Sequence, residues 1–460
     1  MTGATGTKAR PHGLVRRAAR AVRAGRAGAA GRAGWAVTAG ALSSLGNLLL
    51  SLTVARLESI EHLGRFALAF SLYVLATGLS RATVTESVLA GSGRAAIAAG
   101  TRRAAAVGVA CAVPLVVGGV LDRSGYLVIA GATLPGLVLH DYGKTVALGI
   151  GSPRPPCHRE AVWTGLTAAA ALLGLLQVID PMAVFTVWAG TGALLGYAAA
   201  LLRGHRVRPG WQLSRSDTRA AASFGFQYLL TAGSAQLALA ALGMAAGMAV
   251  VGALSVGRTV LGPVTLLVGT ASSLVIPYLA RTRSSTGSVR MRAAVRVTVL
   301  LLAVSAPLAV LVPLLPDQVG TAVLGGNWRH AAPLLPVLAA EVLLAGVAMV
   351  GFAGHRVQGA GSRALLIGGA LGVVRVPLVV VGGASLGAFG AAAALVLMGL
   401  LSATAWWCSY VRLLRTTGPT GGGPTAGPGG SELGAADGPS TAGPHRGALS
   451  APGVSPPGQR

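Results

Sequence analysis

Charge is scarce in this sequence: 11% of its 460 residues are Asp, Glu, Lys or Arg, against about 25% in soluble domains. A chain this long and this poor in charge cannot cover a water-facing surface, which excludes a soluble globular protein. Acidic residues are scarcer still, 12 against 37 Lys and Arg, for a formal net charge of +25. The basic residues collect in links and at the two ends, where they set topology and meet anionic lipid, so no nucleic-acid partner is expected. The three cysteines, Cys111, Cys157 and Cys408, show no CxxC or paired spacing, which speaks against a disulfide framework or a metal site. Cys111 and Cys408 fall in apolar spans and Cys157 in a link. There is no GxxxxGK[ST] motif for ATP, no HExxH and no paired-carboxylate pattern in the links. No polar gap between apolar runs is long enough for a catalytic domain. An enzyme is therefore not expected, nor is a cofactor.

What the sequence has in abundance is apolar length: 53% hydrophobic residues and a mean hydropathy of +0.67. About 20 residues in helix cross the ~30 Å hydrocarbon core. Twelve such spans are predicted: 34–55, 66–89, 104–121, 125–143, 161–179, 182–202, 222–250, 259–280, 297–315, 332–352, 364–383 and 388–411. The first is too long for the core of a cleavable signal and reads as a retained span. The seventh is long and contains a possible loop at Gly247. An apolar segment at 316–326 reads as interfacial, with Trp328 at headgroup level. Basic residues then alternate strongly between links, and most fall on the side of the N-terminus. By the positive-inside rule both termini are cytoplasmic and the protein is a multi-pass protein of the cytoplasmic membrane.

The fold class expected is an all-α integral membrane protein, with about twelve transmembrane helices in two six-helix bundles around a central cavity. Residues 1–33 form a basic cytoplasmic tail, 34–202 the first bundle, 203–221 a cytoplasmic linker and 222–412 the second bundle. Residues 413–460 are a Pro/Gly-rich tail that cannot bury enough apolar surface to fold. The even division suggests parallel repeats about an axis along the membrane normal.

Four stretches carry a family resemblance: NLLLSLTVAR with its link to LGRFALAFSLY, HDYGKTVALGIGSPR after the fourth span, VGALSVGRTVLGPVTLLVGTASSLVIPYLAR across the eighth, and LGGNWRHAAPLLPVLA into the tenth. Together they resemble the polysaccharide-lipid (O-antigen-type) flippases of the multidrug/oligosaccharidyl-lipid/polysaccharide exporter superfamily, over about residues 34–412. The resemblance implies two six-helix bundles around a cavity that opens alternately to each side. It also implies export of a lipid-linked saccharide in polysaccharide biosynthesis, with assembly enzymes as further partners. In the drug-exporting branch of the superfamily the cargo is instead an organic cation.

Charges left inside spans are the sites to examine, because a charge at mid-membrane costs roughly 2.5–3.5 kcal/mol on insertion scales and faces a cavity or a partner. Arg81 lies in the second span and Arg375 in the eleventh; both are candidates to bind an anionic substrate group through the bidentate guanidinium fork. Glu341 in the tenth span, Glu86 five residues after Arg81, and Asp141 at the end of the fourth span are candidates for coupling to a proton or ion. Glu341 and Arg375 sit on consecutive spans at similar depth, and a structural ion pair between them is the rival reading. Asp141 and Lys144, spaced i,i+3, read equally as a surface pair. Asn47 and Gln227 read as interhelical hydrogen-bonding residues. The alternatives to a flippase are a cation-coupled multidrug exporter and a non-transporting membrane component of polysaccharide assembly.

Overall fold

The computed structural model describes residues 12–91 and 93–416. The expected disordered tail lies outside the described residues from 417 onward, as do residues 1–11 of the basic N-terminal segment. The helices in chain order are α1 (His12–Leu57), α2 (Ile60–Ser80), a π-helical turn (Arg81–Thr85), α3 (Glu86–Gly91), α4 (Arg94–Leu121), α5 (Gly125–Gly149), α6 (Arg154–Leu175), α7 (Pro181–Leu201), α8 (Arg215–Leu230), α9 (Ser234–Ala246), α10 (Met248–Val260), α11 (Gly262–Ala280), α12 (Gly287–Leu311), α13 (Asp317–Leu324), α14 (Trp328–Ala331), α15 (Leu335–Val357) and α16 (Gly361–Thr416). No strand occurs among the described residues.

Among the described residues eight stretches are long and apolar enough to cross a bilayer, and a ninth is the pair α8–α9, bent by 59°. The second arm of α16, past the non-helical Leu386–Gly387 kink, adds one more pass. The remaining two passes are α5 and α6, whose His140, Asp141, Lys144 and Glu160 dilute their apolar character. Twelve passes result, in the order read from the sequence. The all-α fold class stands.

Short capped turns reverse the chain. The hydroxyl of Ser59 accepts from the His62 amide at the start of α2, Ser124 from Leu127 in α5, and Asp180 from Ala183 in α7. Each satisfies an amide that the helix start leaves without an intrahelical partner. The turn between α9 and α10 is a single residue, Gly247, at φ 91, a backbone region that costs glycine little. That turn corrects two span boundaries. The seventh pass ends at Ala246 rather than at 250, and the eighth begins at Met248 rather than at 259. Arg258, placed by the sequence in an outer link, is therefore inside a helix. Basic residues from His12 onward belong to α1, in one helix with the first span.

Helices of the first half pack among themselves, α5 touching α4 and α7, and α1 lying on α6; in the second half α15 packs on α16, α12 and α11. The core of the first half is an aromatic cluster of Phe66, Phe70, Tyr126, Phe185 and Trp188 with ring centroids 5.3–6.0 Å apart. Large apolar side chains such as Val113, Leu172, Leu300 and Leu366 point outward, as a hydrocarbon solvent requires.

The seam between the halves is α2 against α10. Gly64, four residues past the start of α2, faces the carbonyl of Met248, the first residue of α10; Gly252, four residues past the start of α10, faces the carbonyl of Ile60, the first residue of α2. A Cβ on either glycine would overlap backbone. The contact is reciprocal. At the same end the Asn327 amide donates to the carbonyls of Ala55 and Glu58 at 2.8 and 2.7 Å, capping the last turn of α1 from the other half. Trp328 is not at a headgroup-facing surface: it is buried and its indole N–H donates to Asp317 at 2.8 Å. Cys157 is likewise buried in the first turn of α6 rather than in a link.

Candidate functional site

Between the two halves lies a cavity of about 570 Å³, at mid-depth on the passes that bound it, lined from α1, α2, α9, α10, α11 and α15. Apolar walls carry a minority of polar groups, among them Asn47, Ser51, Gln236, Ser255, Arg258 and Glu341. This is the composition of a ligand site, mostly apolar with a few convergent polar groups. The charges are paired, with Arg258 Nη2 3.5 Å from Glu341 Oε1, both side chains partly exposed to the cavity. The side-chain oxygen of Gln236 is buried without a protein partner.

Of the residues singled out in the sequence, Glu341 and Asn47 line this cavity; Arg81, Arg375 and Gln227 do not. Arg375 lies on α16, where its guanidinium donates to Ser234 Oγ at 3.0 Å. Glu341 is not its ion-pair partner; the charges that act on Arg375 are Glu341, attracting, and Arg258, repelling. Arg258, rather than Arg375, lines the cavity and pairs with Glu341, because Gly247 lets α10 start early and places Arg258 within a helix. The signal was available: Arg258 interrupts an apolar run that is continuous from Met248 to Ala280.

Arg81 sits two helical turns beyond the cavity-lining Val74, about 10 Å at 1.5 Å per residue. It opens the π-helical turn, in which the Glu86 amide reaches back to the Arg81 carbonyl. Such bulges sit frequently at functional positions. The guanidinium grips Asp141 bidentately: Nε donates to Oδ2 at 2.7 Å and Nη2 to Oδ1. Arg81 is 50% exposed and Asp141 only 7%. Tyr228 of α8 lies close by, its hydroxyl donating to the Val74 carbonyl at 3.4 Å, so Arg81 stands on the seam between the halves. Glu86 is exposed at the start of α3.

Asp141 and Lys144 do not form a surface pair. Asp141 goes to Arg81, while Lys144 donates to Ser43 at 3.2 Å and meets Glu160 at 3.0 Å. Glu160 is fully buried and also holds His140 Nε2 at 2.9 Å; the His140 ring stacks edgewise on Trp163. Glu160, at the edge of the fifth predicted span, was not among the residues singled out in the sequence.

No family model matches the sequence, and no curated protein matches it. Solved structures do match by fold. A multidrug resistance MATE family transporter of the MOP superfamily, in an inward-facing conformation, has a TM-score of 0.62 at 15% identity, over 83% of this chain and 99% of that one. The lipid II flippase MurJ in an inward closed conformation has a TM-score of 0.63 at 10% identity, over 82% and 87% of the two chains. An outward-facing MATE structure gives 0.51 at 14% identity, over 83% and 94%. The chain therefore has the fold of these MOP superfamily transporters.

Proposed function

We propose that the protein is a flippase that moves an anionic lipid-linked saccharide across the cytoplasmic membrane by alternating access. The observation that carries this reading is Arg258 in the wall of a cavity between two halves, held among the described residues by a 3.5 Å pair with Glu341. A guanidinium with one loose partner exchanges it readily for a phosphate, which it binds through two parallel N–H donors. Arg81, half exposed on the seam and nearer the 202–214 link, is the first anion-binding group on the way in; Arg258 is the second. Arg375, behind Glu341, adds positive field to the same region. The MurJ neighbour, named a lipid II flippase, supports a lipid-linked cargo. With both termini cytoplasmic, as the basic links argue, the cavity loads from the cytoplasmic side and the seam at Gly64 and Gly252 opens to release outside. Enzymes that assemble the saccharide are partners on the loading side.

Arrival of the anion at Arg258 releases Glu341, which is then free to take up a proton or a metal cation and couple the cycle. Glu86 and Asp141 are weaker coupling candidates: the first is exposed and the second is committed to Arg81. The MATE neighbour is named a multidrug resistance transporter; a cation-coupled multidrug exporter calls for a cavity of net negative charge. Here Arg258 offsets Glu341. The test is ligand preference in the purified protein. A polyprenyl pyrophosphate should protect a cysteine placed at Ser255 from thiol labelling, and a quaternary ammonium drug should not. The opposite preference would put the protein in the drug-exporting class.

A further inference from the structure

A second group of guanidinium side chains lies outside the cavity, at the 202–214 end of the first half. Arg103 of α4 is 7% exposed, yet none of its nitrogens has a hydrogen-bond or ion-pair partner among the described residues, and its Nε is fully buried. Arg159 of α6 has both terminal nitrogens buried and unpartnered. Arg203, just past α7, approaches the same point: the Cβ position of Gly143 on α5 lies 3.6 Å from Arg159 Nη1 and 3.9 Å from Arg203 Nη1. Tyr142, next to that glycine, feels the charges of Arg103 and Arg203. The carboxylate that acts on Arg159 is Glu160, and its Oε1 is already taken by His140 and Lys144. Asp141 is taken by Arg81. Arg159 and Arg203 thus approach one point and Arg103 acts on the residue beside it, and among the described residues none of the three guanidiniums has an acceptor for its protons.

Buried donors left unpaired are costly, more so when charged, and like charges brought together add to that cost. A bound anion removes both penalties at once. Guanidiniums in this arrangement match the oxygens of a phosphate, and basic pockets between membrane helices at this level suit anionic lipid headgroups. We propose that Arg103, Arg159 and Arg203 form a phosphate site, separate from the transport cavity, that holds the headgroup of an anionic phospholipid. Arg203 is exposed and forms the entrance, while Arg103 and Arg159 form the floor. The site ties α4, α6 and the start of the link between the halves to a lipid, whatever the cargo of the cavity.

Native mass spectrometry and thermal unfolding of the full chain in neutral detergent test this, with phosphatidylglycerol, phosphatidylcholine or inorganic phosphate added. The wild type should retain one phosphatidylglycerol tightly and unfold at a higher midpoint with it, and phosphatidylcholine should do neither. Arg103→Gln and Arg159→Gln should each weaken retention about tenfold, as loss of a charge-assisted hydrogen bond does. Arg203→Gln, at the exposed margin, gives the same reading should a floor variant fail to fold. Arg206→Gln with Arg208→Gln, exposed farther along the link, should change nothing. Equal loss in that link variant, or equal retention of phosphatidylcholine, overturns the site. A midpoint raised as much by inorganic phosphate as by phosphatidylglycerol overturns the lipid as its ligand.

Discussion

Removing the guanidinium of Arg81 strands the Asp141 carboxylate, which is 7% exposed, whereas removing Asp141 leaves an arginine that is half in the open. The two deletions should not be equal. Arg81→Ala is expected to destabilise by about 3–5 kcal/mol, the cost of an uncompensated buried charge, and Asp141→Ala by clearly less. Arg81→Ala combined with Asp141→Ala should recover most of the loss, and thermal midpoints of the three variants in detergent decide the matter. At Arg258 the order is different, because Glu341 is partly exposed to the cavity. Arg258→Ala should leave abundance and folding near normal and remove anion binding. Arg258→Lys should restore only part of it, since an ammonium is a point charge without the bidentate fork. Glu341→Gln removes the competitor for Arg258, so anion binding should tighten while coupling is lost; weaker binding in that variant would count against the exchange of partners. At this scale the sequence was informative for residues deep inside unambiguous spans. Arg81, Glu341 and Arg375 were visible as charges in apolar runs. Arg258 and Glu160 were passed over, because each was placed at a span boundary, although Arg258 does stand within an apolar run, and a residue moved from link to helix changes from solvated to buried or partly buried. Pairings were less legible still. Asp141 chose a partner 60 positions away over one at i+3, a choice made by helix packing and not by local spacing.

Helices were legible wherever apolar length alone sufficed, and their edges failed where glycine let the chain turn in one residue. A polar link of the usual kind between α9 and α10 does not exist; Gly247 replaces it, so hydropathy runs on unbroken through the turn. The kink at Leu386–Gly387 inside α16 was found because the apolar run there is twice the length of a span. The π-helical turn at Arg81 carries no sequence mark. At the element scale the α2–α10 seam makes a sharp forecast. Because a Cβ at Gly64 or at Gly252 would overlap backbone on the other helix, Gly64→Ala and Gly252→Ala should each cost about 1–3 kcal/mol, as overpacking does. They should also bias the molecule toward opening at this end. Asn327→Ala withdraws two donors from the last turn of α1 and should bias it the same way without overpacking. A cysteine introduced at Ser51, on the cavity wall, should label faster from outside the cell in all three backgrounds. Unchanged labelling in all three would mean that this seam is not the gate.

Twelve passes in two halves make the chain's handedness across the membrane a single yes-or-no property. Single cysteines at Ser59, Ser124 and Ser385 should react with an impermeant thiol reagent outside the cell, and those at Ser214 and Ser285 should not. Reaction at Ser214 from outside would invert the molecule and, with it, the direction in which Arg81 and Arg258 meet a substrate. On the proposed reading the charged groups serve passage: one arginine on the seam, one in the cavity paired to a carboxylate, and a closed seam beyond. The central claim is that this arrangement carries an anionic lipid-linked group across the bilayer, and the direct measurement is translocation. Purified protein in sealed vesicles, supplied on one face with a fluorescent polyprenyl-pyrophosphate saccharide, should deliver it to a quencher or a degrading enzyme confined to the other face. The expected result is transfer well above that of protein-free vesicles, lost in Arg258→Ala vesicles that contain the same amount of folded protein. Transfer by Arg258→Ala equal to that of the wild type, or no transfer by wild-type protein whose folding and insertion have been verified, would contradict the account.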